Sequence, residues 1–68
     1  MRAGDEYVVE WHDGDRQRYR VEGVDGDKIT FRRWVATKSR WTPWTGVHRH
    51  SAVAPLMVEG SRGSVQRR

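Results

Sequence analysis

The sequence predicts an all-β fold, a small five-stranded antiparallel meander that closes into a barrel. The unit Asp-Gly-Asp followed by a cation occurs twice, at residues 13–16 and 25–28, and each copy lies between segments of alternating polarity. Asp-Gly in such a setting is a strong hairpin signal. No long helical periodicity occurs in the 68 residues, and a chain of this length forms one domain with a thin core.

The first hairpin is predicted to join strands at about residues 6–11 and 16–23. A two-residue loop at Asp13-Gly14 would set arginines opposite the apolar side chains. A three-residue loop at residues 12–14, with Gly14 left-handed, satisfies both faces of the hairpin. This loop gives the cross-strand pairs Tyr7–Tyr19, Val9–Gln17, Glu10–Arg16 and Glu6–Arg20.

The second hairpin is predicted to lead into a third strand at about residues 28–35. A loop at residues 24–26 pairs Val21 with Ile29 and Tyr19 with Phe31. Aromatic and β-branched residues then line one face of three adjacent strands, where cross-strand pairs contribute roughly 0.2–1 kcal/mol each. The predicted inner face consists of Tyr7, Val9, Trp11, Tyr19, Val21, Ile29 and Phe31.

The elements after Val35 are predicted to be short. A fourth strand at residues 38–42 ends at Pro43, Gly46 forms a turn, and residues 47–50 are extended or a loop. Residues 51–54 form one helical turn before Pro55, and residues 56–58 form the last strand. We expect a domain over residues 1–59 and a flexible basic tail over residues 60–68.

Three long strands, two short ones and a helical turn before the last strand resemble the SH3-like or Sm-like barrel architecture, with Tudor and KOW modules as relatives. The resemblance covers roughly residues 5–59, concerns the superfold alone and rests on no family-specific motif. It implies a small, highly curved barrel, and a fold of this kind does not decide function.

Charge is distributed unevenly along the chain. The net charge is +4, but residues 1–31 carry −3 and residues 32–68 carry +7. No acidic residue occurs from Lys28 to Val58, and three of the four tryptophans lie in this stretch. Such a distribution steers a negatively charged partner to one side. Eleven of the thirteen cations are arginine, which suits phosphate binding but also follows from a GC-rich genome.

This pattern predicts nucleic-acid binding with weak sequence specificity, because cations neutralise phosphates and rings stack on bases. The nucleic acid is DNA or RNA. The candidate binding residues are Arg32, Trp34, Lys38, Arg40, Trp41, Trp44 and Arg49. A solvated basic face without a partner is the plain alternative.

Two further functions fit the same residues. A protein-interaction module would present an aromatic groove with a basic rim to an acidic protein surface. A small accessory protein of a phage or mobile element that grips one host protein is an example of that class. Self-association through an open edge strand is the third possibility, and the oligomeric state stays open.

The individual tryptophans are expected to differ in role. Trp11 shares a face with Tyr7 and belongs to the core. Trp34 points outward if the alternation continues and inward if a bulge occurs at residues 32–33. Trp41 and Trp44 either close the mouth of the barrel or contact a ligand. The arginines of the second strand are expected to form surface ion pairs with nearby glutamates, namely Arg16, Arg18 and Arg20 with Glu6, Glu10 and Glu22.

Other chemistry is not indicated. The chain has no cysteine, no phosphate-cradling glycine loop and no nucleophile elbow, so we expect neither an enzyme nor a cofactor. His48 and His50 could approach a zinc ion, but two imidazoles without a third ligand make a weak site, and no metal is predicted. Without cysteines, an apolar span or a signal peptide, the predicted location is the cytoplasm, with no membrane partner.

Overall fold

The computed structural model describes residues 1–59, which are mostly antiparallel β-sheet with one short α-helix. The predicted all-β class is therefore confirmed. The strands are β1 (Glu6–Glu10), β2 (Arg16–Asp25), β3 (Lys28–Val35), β4 (Arg40–Trp41), β5 (Gly46–Arg49) and β6 (Met57–Glu59). The helical segments are α1 (His50–Val53) and two 3-10 turns, Ala36–Lys38 and Ala54–Leu56. The predicted tail at residues 60–68 lies outside the described residues.

The first hairpin has the predicted register. Tyr7 lies opposite Tyr19 and Glu10 opposite Arg16. The Trp11 N–H donates to the Asp15 carbonyl at 2.8 Å and closes a three-residue loop in which Gly14 has a φ of 93°. That left-handed conformation favours glycine, so the Asp-Gly pair determined this loop locally.

The second hairpin departs from the predicted register. The loop is shorter, Asp25 pairs with Lys28, and Val21 lies opposite Phe31 rather than Ile29. Tyr19 consequently lies opposite Arg33. The register shifts between Val21 and Gly23, which marks a β-bulge at Glu22. The shorter loop offsets the pairing by three residues from the predicted register, and the bulge reduces this offset by one. Beyond the bulge the pairs are therefore two residues from those predicted, and the core residues stay on the same face.

The described strands form a sheet in the order β4–β3–β2–β1–β6, with β5 pairing with β3 as well. The sheet has six strands rather than the predicted five, because residues 46–49 pair with residues 28–31 of β3. The expected barrel closure is wrong for the described residues, since no pairing joins β4 or β5 to β6. The terminal strands β4 and β6 have two and three residues, too few for a closing ladder.

The sheet nevertheless curls strongly around its core. The Tyr7 hydroxyl of β1 lies 3.0 Å from Nδ1 of His48 in β5, although two strands separate β1 from β5 in the ladder. Among the described residues, the buried hydrophobic side chains are those predicted for the inner face, apart from the partly buried Trp11, together with one residue of α1: Tyr7, Val9, Tyr19, Val21, Ile29, Phe31 and Val53.

Gly46 is the first residue of β5 rather than a turn. It lies opposite Phe31, and a Cβ atom at this position would stand 2.6 Å from Cζ of the Phe31 ring. Any side chain would push the ring out of the core, so glycine is needed here for close approach and not for an unusual backbone angle.

The predicted fourth strand is shortened to Arg40–Trp41. Residues 36–38 form a 3-10 turn, and Ser39 follows it with a left-handed φ of 50°. The chain therefore reverses direction before β4 begins, and Lys38 lies in the connection.

The helical turn begins at His50, one residue earlier than predicted, and is held to the second hairpin. Oδ1 of Asp27 accepts from the Ser51 N–H at 3.0 Å, and Oδ2 accepts from the Ser51 hydroxyl at 2.7 Å. These hydrogen bonds keep the pKa of the Asp27 carboxyl below its ordinary value. None of the helical segments in the described part of the chain has the length and apolar character needed to cross a membrane.

Candidate functional site

The outer face of the sheet, opposite the core, carries two tryptophans side by side. Trp34 points outward because the alternation of β3 continues past Phe31, and the predicted alternative of a bulge at residues 32–33 does not occur. Trp34 pairs with Trp41 of β4, and the two ring centroids lie 5.1 Å apart in an edge-to-face arrangement. Neither ring belongs to the buried core.

Arginines from β2 lie over these rings. The Arg18 guanidinium is 5.6 Å from the Trp34 centroid and 5.5 Å from that of Trp41, and the Arg20 guanidinium is 4.9 Å from Trp41. Contacts of this kind contribute about 0.5–1 kcal/mol at exposed sites. Arg32 lies opposite Arg20 on the same face. We call this set the tryptophan–arginine cluster: Arg18, Arg20, Arg32, Trp34 and Trp41.

Arg18 and Arg20 were absent from the sequence-predicted site. The predicted register set Tyr19 opposite Phe31 and therefore Arg18 opposite Arg32. The loop of the second hairpin is one residue shorter than predicted, and the bulge at Glu22 adjusts the register by one residue, so that Tyr19 lies opposite Arg33 and Arg18 lies over Trp34. A two-residue loop at residues 26–27 is the sequence signal that could have pointed to this contact, but the bulge depends on how the sheet bends.

The predicted ion pairs of β2 are present. Arg16 lies 3.3 Å from Glu10, and Nε of Arg18 donates to Oε1 of Glu6 at 2.9 Å. Exposed pairs of this kind contribute roughly 0–1 kcal/mol each. They hold the side chains in position more than they stabilise the fold.

Glu22 contacts two members of the cluster. Nε of Arg20 donates to its Oε2 at 3.0 Å, and Nε of Arg32 lies 3.6 Å from its Oε1. The basic run that is free of acids in the sequence is thus not free of acids in space. The pairing of β2 with β3 places the Glu22 carboxylate between two of the cationic side chains, Arg20 and Arg32.

Thr42 anchors the segment after β4. It is 3% exposed, and its hydroxyl accepts from the Arg33 N–H at 3.1 Å and donates to the Trp44 carbonyl at 2.8 Å. Its own carbonyl accepts from Nη1 of Arg32 at 2.8 Å. One buried threonine therefore sets the position of a cluster arginine and of the loop that carries Trp44.

The remaining predicted residues do not join the cluster. Trp44 is 50% exposed and lies over the Arg33 guanidinium at 5.5 Å. Lys38, in the 3-10 turn, and Arg40, the first residue of β4, are both exposed. Arg49 lies opposite Lys28, six residues before Trp34 along β3 and so roughly 20 Å away. Nη1 of Arg49 is 3.9 Å from Oδ2 of Asp27.

His48 lies on the inner side of the sheet among aromatic rings. It stacks on Phe31 with a centroid distance of 4.0 Å and meets the edge of Tyr19 at 4.8 Å. Burial keeps the pKa of the His48 imidazole below its ordinary value. Burial also raises the pKa of Tyr7 and Tyr19, so both phenols stay neutral.

His48 and His50 do not form a metal site together, because His48 faces the aromatic core whereas His50 begins α1 at the surface. No group of three or more histidine, aspartate or glutamate side chains in residues 1–59 is arranged to hold a metal ion.

Comparison of the chain with protein-family models, with curated proteins and with solved structures finds no match. The geometry of the site is therefore the basis for the functional proposal.

Proposed function

We propose that this protein binds single-stranded nucleic acid, with weak sequence specificity, through the tryptophan–arginine cluster. The observation that supports this most is the Trp34–Trp41 pair with the Arg18 and Arg20 guanidinium groups within 6 Å of its rings. Rings and guanidinium groups on the same face of the sheet can bind both parts of a nucleotide. The base stacks on a ring, and the phosphate pairs with an arginine.

A single strand fits this surface better than a duplex. Base faces are available for stacking only where bases are not already stacked in a helix. The cluster is formed by strands, and α1 has four residues, too few for a recognition helix in a major groove.

Weak specificity follows from the residue types present. Asparagine and glutamine make bidentate contacts to adenine, and the chain has no asparagine and only two glutamines. Arg18, Arg20 and Arg32 suit phosphate oxygens, which carry no sequence information.

The open sheet is consistent with an SH3-like or Sm-like arrangement. A three-strand meander is followed by a helical turn, and the last strand β6 returns to pair with β1. We therefore propose an SH3-like or Sm-like arrangement as the specific form of this all-β fold.

A labelled single-stranded oligonucleotide, titrated at two salt concentrations and followed by anisotropy, tests the proposed function. We expect Trp41→Ala to weaken binding by about 1–3 kcal/mol, the contribution of one stacked base. Trp44→Ala is the matched control, because it removes a more exposed ring outside the cluster and should change affinity little.

Duplexes of the same sequence should bind more weakly than the single strand. If the wild-type protein binds no nucleic acid even at low salt, the proposal is wrong. The same surface is then better interpreted as a docking site for an acidic protein.

A further inference from the structure

We propose that the outer face contains a seat for one phosphate group between the guanidinium groups of Arg20 and Arg32, which the carboxylate of Glu22 occupies in the free protein. This inference rests on the proposed function and adds to it the position of a phosphate and the group that competes with it.

The carboxylate of Glu22 has the geometry of a substitute for phosphate. Its two oxygens face different guanidinium groups, Oε2 at 3.0 Å from Nε of Arg20 and Oε1 at 3.6 Å from Nε of Arg32. A phosphodiester also presents two oxygens that share one negative charge. The two arginines therefore offer a phosphodiester the hydrogen bond that Arg20 now gives to Glu22 and the ion pair that Arg32 forms with it.

The seat is accessible and adjoins the stacking surface. The side chains of Glu22 and Arg32 are each 30% exposed, and that of Arg20 is 36% exposed. The Arg20 guanidinium also lies 4.9 Å from the Trp41 ring centroid. A phosphate bound at Arg20 would thus lie next to the ring on which a base stacks.

The two sides of the seat differ in rigidity. Nη1 of Arg32 donates to the Thr42 carbonyl at 2.8 Å, which fixes the guanidinium while leaving its Nε directed at Glu22. Glu22 is the bulged residue that the β2–β3 register passes over. Since exposed ion pairs contribute roughly 0–1 kcal/mol, a phosphate can displace this carboxylate at little cost.

The test compares Glu22→Gln with Glu10→Gln. Both substitutions remove one negative charge from an ion-paired glutamate on the outer face, but Glu10 contacts Arg16 at 3.3 Å instead of the cluster arginines. A labelled single-stranded oligonucleotide is titrated against each full-length protein at several salt concentrations, and the melting temperature of each variant is recorded to verify folding.

We expect Glu22→Gln to bind the oligonucleotide about three- to tenfold more tightly than the wild type, because a competing and repelling charge is removed. The slope of log affinity against log salt should become steeper by up to about 0.7, the value for one further phosphate on a single strand. Glu10→Gln should stay within about twofold of the wild type.

The outcomes separate the two proposals. Tighter binding by Glu22→Gln alone, compared with a wild type that also binds, supports the seat. Equal tightening by both variants means a general charge effect and overturns the seat. If the wild type binds and Glu22→Gln binds no more tightly, the seat is wrong while the proposed function stands. If none of the three proteins binds, the proposed function fails and the seat fails with it.

Discussion

The imidazole of His48 is surrounded by aromatic side chains from three other strands, and this burial lowers its pKa. Phe31 of β3 stacks on it at 4.0 Å, Tyr19 of β2 meets it at 4.8 Å, and the Tyr7 hydroxyl of β1 lies 3.0 Å from its Nδ1. The hydrogen bond between Nδ1 and this hydroxyl links two strands that are not neighbours in the ladder. His48, which the sequence offered only as a weak candidate for a metal ligand, is a structural contact between the two sides of the curled sheet.

The stability of the fold should depend on the protonation of His48. Burial depresses its pKa in the folded state, whereas the unfolded chain keeps the ordinary value near about 6.5. As the pH falls below about 6.5, the unfolded state takes up the proton first, so the free energy of unfolding decreases until the pH is below the folded pKa. The groups that face the imidazole are the phenols of Tyr7 and Tyr19, both neutral here, with the Arg33 cation near Tyr19.

Urea unfolding of wild type and His48→Gln between pH 7.5 and 5 measures this dependence. We expect the loss of stability on acidification to be smaller in His48→Gln. His50→Gln, which removes an exposed histidine two residues away, should retain the wild-type dependence. An identical pH dependence in His48→Gln and wild type would contradict the prediction.

At the scale of elements, the loop between β4 and β5 is organised by one buried hydroxyl. Thr42 binds the backbone of β3 at Arg33 and the carbonyl of Trp44. The sequence Thr-Pro-Trp suggested only that a strand ends at Pro43. Which backbone groups the Thr42 hydroxyl reaches depends on β3, a strand distant in sequence that packs beside it.

Thr42→Val should destabilise the fold by about 1–3 kcal/mol, because it leaves the partly buried Arg33 N–H without its hydroxyl acceptor. The matched control is Thr45→Val, the same substitution at an exposed site, expected within about 0.5 kcal/mol of the wild type. Equilibrium unfolding in urea measures both. Equal loss of stability in the two variants would mean that the Thr42 hydrogen bonds do not anchor the loop.

At the scale of the whole molecule, the net positive charge is unevenly divided along the chain. Residues 60–68 contain three arginines and no acid, so residues 1–59 carry only +1 of the total +4. Under the proposed function, residues 1–59 would attract a polyanion through the local arrangement of the tryptophan–arginine cluster, and the last nine residues would supply most of the net charge.

A variant that ends at Glu59 should bind single-stranded nucleic acid more weakly, with a salt slope reduced by up to about 2, because three cations at about 0.7 each are lost. Titrations at several salt concentrations measure this slope. A full-length variant with Arg62, Arg67 and Arg68 replaced by glutamine should behave in the same way, which attributes the effect to charge rather than to length. An unchanged slope in both variants would exclude a contribution from these arginines.

The sequence predicted the two hairpins unequally. For the first, both faces of the pairing and the glycine in the loop agreed on one register, which the structure confirms. For the second, the predicted loop was one residue too long and the bulge at Glu22 was not predicted, so the predicted pairs were three residues out of register next to the loop and two residues out beyond the bulge. The candidate site was likewise predicted only in part. Trp34 and Trp41 were among the candidate binding residues, whereas Arg18 and Arg20 were not.

The sequence by itself determined the all-β class, the first hairpin and the composition of the core, because alternation and Asp-Gly turns act through local backbone geometry. Only the tertiary structure decided which charges meet the tryptophans. The shorter loop and the bulge together set the register between β2 and β3, and that register places Arg18, Arg20 and Glu22 beside the residues of β3 and β4 that they contact. Contacts between distant strands depend on how the whole sheet bends around its core, and no local pattern records that bend.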